Sequence, residues 1–137
     1  MSSRSEYRWI ADDVVLAVHE AQIDEHGGTA GIRDPALLAS ALARPQNAAA
    51  YGETGIAELA ALYALGVIKN HPFIDGNKRV GAVLLEIFLE EHNCELNVSD
   101  QELFRAIMAL AASETSETAF ISWVRAHARK SGNKRRK

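Results

Sequence analysis

Residues 56–69 carry apolar side chains on almost every side of a helix: Ile56, Leu59, Leu62, Tyr63, Leu65, Val67 and Ile68. A helix with no polar face must be surrounded by other elements, so this one predicts a bundle built around it. The run is broken by Glu58 and too short to span a bilayer. Residues 77–92 repeat Val80, Val83, Leu84, Ile87 and Phe88 at helical spacing, with Glu86, Glu90 and Glu91 mostly off that face. These two helices are the expected core pair.

The remaining segments read as helices packed around that pair. Residues 9–26 set Ala11, Val14, Val15, Val18 and Gln22/Ile23 on one stripe and stop at Gly27-Gly28. Asp34 is an N-cap candidate and Pro35 a first helical residue, opening a short helix with Leu37, Leu38, Ala41 and Leu42 that Pro45 terminates. Residues 46–54 lack periodicity and read as an exposed, poorly ordered loop or small flap. Residues 95–98 form a strand-like connector, and Ser99 with Glu102 has the pattern of a capping box opening a helix with Leu103, Phe104, Ile107 and Met108. A last helix over 116–129 buries Phe120, Ile121, Trp123 and Val124. The expectation is an all-α, compact single-domain bundle of about six helices over residues 1–128.

Composition limits the function classes. A chain of 137 residues, 47% hydrophobic, closes one core without staples. Its lone Cys94 allows no internal disulfide, no Cys/His cluster has zinc spacing, and the N-terminus lacks a secretory pattern, which together predict a cytoplasmic protein without membrane contact. Residues 129–137 hold six of the 15 cations and no acid, so the rest of the chain sets 9 cations against 18 acids. An acidic body argues against a broad nucleic-acid footprint. The basic end reads as a solvated, disordered tail.

Chemistry concentrates in KNHPFIDGNKRVGAV, residues 69–83, between the two core helices. Pro72 disfavours helical dihedrals at His71, so the first core helix ends near Asn70 or His71. Phe73, among polar neighbours, anchors the loop and leaves His71 and Asp75 facing one opening. From Gly76 the next helix begins, and the backbone N–H groups of roughly residues 76–79 are unsatisfied first-turn donors at the positive end of the helix dipole. Such a point binds phosphate. Gly76 permits close approach, Asn77 can donate an amide hydrogen bond, and Lys78 and Arg79 add charge, the arginine with bidentate geometry. Asp75 beside a polyphosphate suits Mg²⁺, and His71 is the candidate general base, histidine being the side chain that changes charge near neutrality. The set fits a nucleotide-using transferase that acts on a hydroxyl. The competing reading is an ordinary polar turn with Asp75 as N-cap. Two cations in the first turn speak against it, because they oppose the dipole unless an anion sits there.

HPFIDGNKR resembles the signature of the Fic/Doc family, His-x-Phe-x-(Asp/Glu)-Gly-Asn-x-Arg, at every fixed position. Upstream, HGGTAGIRDPALLASALARPQ is similar to a segment of the Doc (death-on-curing) branch, and the resemblance extends over roughly residues 10–128. It implies a Doc-like toxin of a toxin–antitoxin system. His71 would deprotonate the attacking hydroxyl, Asp75 would bind Mg²⁺ and orient the nucleophile, and Gly76, Asn77, Lys78 and Arg79 would hold the phosphates of ATP. The resemblance also implies a protein target, elongation factor Tu in the Doc branch, whose modification stalls translation. A flap aligning that target would lie at 46–54. Members that transfer AMP have glycine where this chain has Lys78 and a second arginine where it has Ala82. The Doc branch is similar to this chain at both positions, which implies ATP bound in the reversed sense, with its γ-phosphate offered to the hydroxyl. Gly76, where Doc proteins usually carry alanine, points instead towards AMP transfer. No complete match to the inhibitory Ser/Thr-x-x-x-Glu-Gly/Asn pattern is present, so control falls to a cognate antitoxin with a segment that folds on binding.

AMP transfer and a catalytically silent nucleotide- or partner-binding module are the alternative functions. Trp9 and Trp123 read as packing residues, His19, His26, His92 and His127 as surface residues, and Cys94 as a small hydrophobe.

Overall fold

A computed structural model describes residues 7–53 and 55–132. Six helices follow one another: α1 (Asp12–His26), α2 (Pro35–Ala50), α3 (Ile56–Asn70), α4 (Asn77–Glu91), α5 (Asp100–Ala111) and α6 (Glu117–His127). Two short strands, β1 (Cys94–Leu96) and β2 (Ala128–Lys130), pair antiparallel with Cys94 opposite Lys130. The fold is all-α, as its periodicity predicts. Among the described residues, no helix is long and apolar enough to cross a membrane.

Helix α3 is the centre, with every residue from Leu59 to Ile68 buried. It packs against α4, α2 and α6. Small residues set how closely its neighbours approach. A Cβ on Gly66 would lie 2.8 Å from the Ala41 carbonyl oxygen of α2, and one on Gly81 of α4 would lie 3.2 Å from Ile68 Cγ1. The helix starts also follow sequence chemistry. Asp34 accepts hydrogen bonds from the backbone N–H groups of Ala36 and Leu37, and Ser99 and Glu102 close a reciprocal capping box.

Four expectations change. Helix α2 does not stop at Pro45 but continues to Ala50, with Ala49 buried. Proline removes one helical hydrogen bond, the one Ala41 O would have accepted, and that carbonyl lies against Gly66 of α3. The alanines at 48–50, the best helix formers, then carry the helix on. The connection to α3 shortens accordingly, and Ala48 and Glu53 line a groove with Thr118, Ile121 and Arg125 of α6. Residues 46–50 of the expected flap at 46–54 are therefore helix. Helix α1 begins at Asp12 and buries Val15 and His19, whereas Val14 is 42% exposed. Its inward face keeps Val15 and Val18 of the apolar stripe and adds His19, which has a partner inside. Helix α6 ends at His127, and Arg129 and Lys130 belong to β2, so the sequence boundary at 128 falls inside a strand. Residues 133–137, with the basic Lys134, Arg135, Arg136 and Lys137, lie outside the described residues.

Candidate active site

Helix α3 ends at His71, whose N–H bonds Val67 O and whose backbone is left-handed (φ 53°, ψ 54°). A non-glycine residue there is uncommon, and before a proline more so. The conformation is held from outside. Arg33 donates from Nε to His71 O at 2.7 Å and from Nη2 to Asn70 O at 2.9 Å, placing a cation at the negative end of α3. The backbone N–H groups of Arg33 and Asp34 both donate to Pro72 O, at 2.7 and 3.0 Å.

The same segment grips the next residues. Ile32 and Phe73 form an antiparallel bridge, and Ile74 N–H donates to Gly31 O at 3.1 Å. Phe73 is fully buried, as its anchoring role predicts. Asn77 is 4% exposed, and its amide closes around the Phe73 backbone: Phe73 N–H donates to Oδ1 at 3.0 Å and Nδ2 donates to Phe73 O at 2.9 Å. The side chain expected to donate to phosphate is thus committed to the loop. What Asn77 offers the cleft is its backbone N–H.

Asp75 does not cap α4. Its Oδ2 accepts the Thr29 N–H at 2.7 Å, and Gly28 (φ 116°) lies so close that a Cβ there would meet Asp75 Cβ at 3.2 Å. The residue preceding α4 is Gly76, left-handed at φ 86°, and among the described residues no side chain caps the helix. Its first-turn donors therefore open on a cleft of about 530 Å³ whose walls include His71, Asp75, Gly76, Asn77, Lys78, Arg79, Gly28 and Phe104. Lys78 and Arg79 are exposed, and the Arg79 guanidinium stands 5.5 Å from the centre of the Phe104 ring. The structure brings every residue expected at the site to the lining of one cleft: His71, Asp75, Gly76, Asn77, Lys78 and Arg79. The arrangement suits an anion held at the helix start, next to a base and a carboxylate.

Several supports escape reading from the sequence. Arg33, Thr29 and Gly28 lie in the segment 26–46 whose likeness to the Doc branch was visible, yet no pattern ties an individual residue there to the loop. His19 reads as a surface residue but is 6% exposed, with its ring 3.9 Å from that of Phe73 and nearly parallel to it (11°). Its position four residues after Val15 and four before Ile23 was the available signal.

An α-helical bundle whose two central helices are joined by this loop, with His71 and the start of α4 lining one cleft, is the arrangement expected of a Fic/Doc-type protein. A sequence model of the Fic/DOC family matches residues 9–89, and the chain belongs to that family. It is 29% identical over 119 residues to the protein kinase doc of Escherichia phage P1, across 86% of this chain and 94% of that protein.

Proposed function

We propose that this protein is the toxin of a toxin–antitoxin pair and transfers the γ-phosphate of ATP to a hydroxyl of a translation factor, elongation factor Tu being the first target to test. The observation that carries the reading is the start of α4 without a side-chain cap, with Lys78, Arg79 and His71 lining the same cleft. The similarity to a protein kinase doc supports the same reaction class.

In this mechanism His71 takes the proton of the target hydroxyl as its oxygen bonds the γ-phosphorus. The bond from that phosphorus to the β,γ-bridging oxygen breaks, and ADP leaves with the electron pair. Lys78, Arg79 and the N–H groups at the start of α4 stabilise the charge that moves onto the phosphates. Among the described residues no three His, Cys, Asp or Glu side chains converge as a metal cage. A single carboxylate, Asp75, with one oxygen bonded to Thr29 N–H, fits Mg²⁺ in the form that arrives with a polyphosphate and keeps its waters. Bound there, the ion would neutralise phosphate charge and orient the transferred group.

Lys78 and Ala82 favour phosphate transfer over AMP transfer, whereas Gly76 supports AMP transfer as the second reading. A Cβ at Gly76 would meet Ile23 Cδ1 at 3.4 Å and His19 Cδ2 at 3.6 Å, both ordinary contacts. Its left-handed φ accounts for the glycine, and alanine there would carry only a backbone cost of about 1–2 kcal/mol. The position is thus compatible with either branch. An antitoxin segment would supply inhibition in the cytoplasm.

Purified protein incubated with Mg²⁺, bacterial lysate and either γ-labelled or α-labelled ATP tests the reading. Label from the γ position alone, lost in His71→Ala, is expected, and the labelled band identifies the target. Label from the α position would make the enzyme an AMP transferase. Binding of nucleotide with no transfer would make it a silent module.

A further inference from the structure

We infer that His19 is a positioning residue for the transfer, fixing the Asp75 carbonyl and with it the turn that aims both the Asp75 carboxylate and the first N–H groups of α4 into the cleft. The inference rests on the proposed reading of that cleft and adds a residue from outside the signature. His19 Nε2 lies 2.9 Å from Asp75 O. The partner is a carbonyl, which only accepts, so Nε2 carries the proton and the tautomer is fixed by the contact. An imidazole as buried as this one needs such a partner.

The place of the hydrogen bond matters more than its strength. The Asp75 carbonyl belongs to the peptide that leads into Gly76, whose left-handed backbone (φ 86°, ψ 8°) turns the chain into α4. Rotation of that peptide would swing the Asp75 side chain on one side and the donors of Asn77 to Arg79 on the other. Asn77 secures the Phe73 end of the loop and Thr29 the Asp75 carboxylate, whereas His19 acts on the peptide between them. Stacking on Phe73 alone would be served as well by phenylalanine, so the donor is the feature that requires histidine.

His19→Phe keeps a ring against Phe73 and removes the donor, and His19→Gln restores an N–H at nearly the same reach. With labelled ATP and Mg²⁺, His19→Phe is expected to lower kcat roughly 10- to 100-fold, the scale of a small misplacement of catalytic groups, with the KM for ATP within about threefold. His19→Gln is expected to recover most of that loss. Full activity in His19→Phe, or a glutamine variant no better than phenylalanine, overturns the proposal. His71→Ala in the same assay separates the two ideas, because transfer that survives it removes the proposed function and not the role of His19. That role is then read without activity, from the backbone amide spectrum of ¹⁵N-labelled protein. His19→Phe should shift the resonances of Asp75 to Lys78 and His19→Gln should return them, whereas unmoved resonances refute the role.

Discussion

Replacement of Asn77 by alanine tests whether this signature residue serves the loop or the ligand. The side chain is 4% exposed, with one hydrogen bond of 3.0 Å to the Phe73 N–H and one of 2.9 Å to the Phe73 carbonyl. Asn77→Ala removes both partners and leaves a backbone donor and acceptor unpaired against the core. Each such orphan costs about 1–3 kcal/mol. The neighbouring Ile74 and Asp75 are exposed, so some water can reach the relaxed loop, and the lower half of the range applies. The pair then costs about 3 kcal/mol, a large share of the roughly 5–15 kcal/mol that holds a domain folded. For a chain of 137 residues this lowers Tm by roughly 10 °C. Urea unfolding and calorimetry at neutral pH measure it. Asn77→Asp provides a second check: one carboxylate oxygen still accepts the Phe73 N–H, but the other faces the Phe73 carbonyl, so aspartate should be no better than alanine. A melt within about 2 °C of the parent together with tenfold weaker nucleotide binding would instead make the Asn77 side chain a phosphate ligand.

Two further substitutions probe the frame. Gly66→Ala would bring a Cβ to 2.8 Å from Ala41 O and 3.0 Å from Ala41 Cα, both backbone atoms, so α2 must retreat from α3 at a cost of about 2–3 kcal/mol; an unchanged urea midpoint would mean that the helices slide apart freely. Glu86 has its pKa raised by burial first and then by Asp100 and Glu90. The folded protein therefore holds that proton more tightly than the unfolded chain, and the group favours folding below the ordinary glutamate range and loses that contribution as pH rises through its raised value. Glu86 keeps part of its surface in solvent although its neighbours desolvate the carboxylate, so Glu86→Gln should stabilise only slightly at neutral pH, by no more than about 0.5 kcal/mol, and not at about pH 3; an equal gain at both pH values would remove the electrostatic cause.

The core was legible because burial leaves a periodic trace. The all-round apolar α3 and the spaced residues of α4 are placed as their patterns require, and the capping box at Ser99 starts α5 where expected. Misreadings fall where one contact outweighs a local rule. Pro45 reads as a terminator, but its lost hydrogen bond falls at a carbonyl lying against Gly66 of another helix, a pairing invisible along the chain. His19 reads as surface because imidazole on an amphipathic helix usually is. Its burial depends on Phe73 and Asp75 being brought to it from 54 and 56 residues away. Arg33 is likewise an exposed cation by type, and only the fold reveals that it holds the end of α3.

These misreadings bear on what a signature match means for this family. Within HPFIDGNKR, Phe73 and Asn77 spend their side chains on the loop itself, and His71, Asp75, Lys78 and Arg79 present theirs to the cleft. The loop does not hold its shape unaided: a left-handed His71 before proline is unfavourable locally and persists beside the guanidinium of Arg33, and the turn at Gly76 is fixed by His19. Thr29 sets the carboxylate, and Gly28 allows the segment to come close enough for it to do so. All four supports lie outside the signature and within residues 9–89. A chain that kept the signature but lost Arg33 or His19 would retain the residues proposed to react without the contacts that hold their loop. Activity in this family should therefore follow the loop's supports as closely as the motif itself.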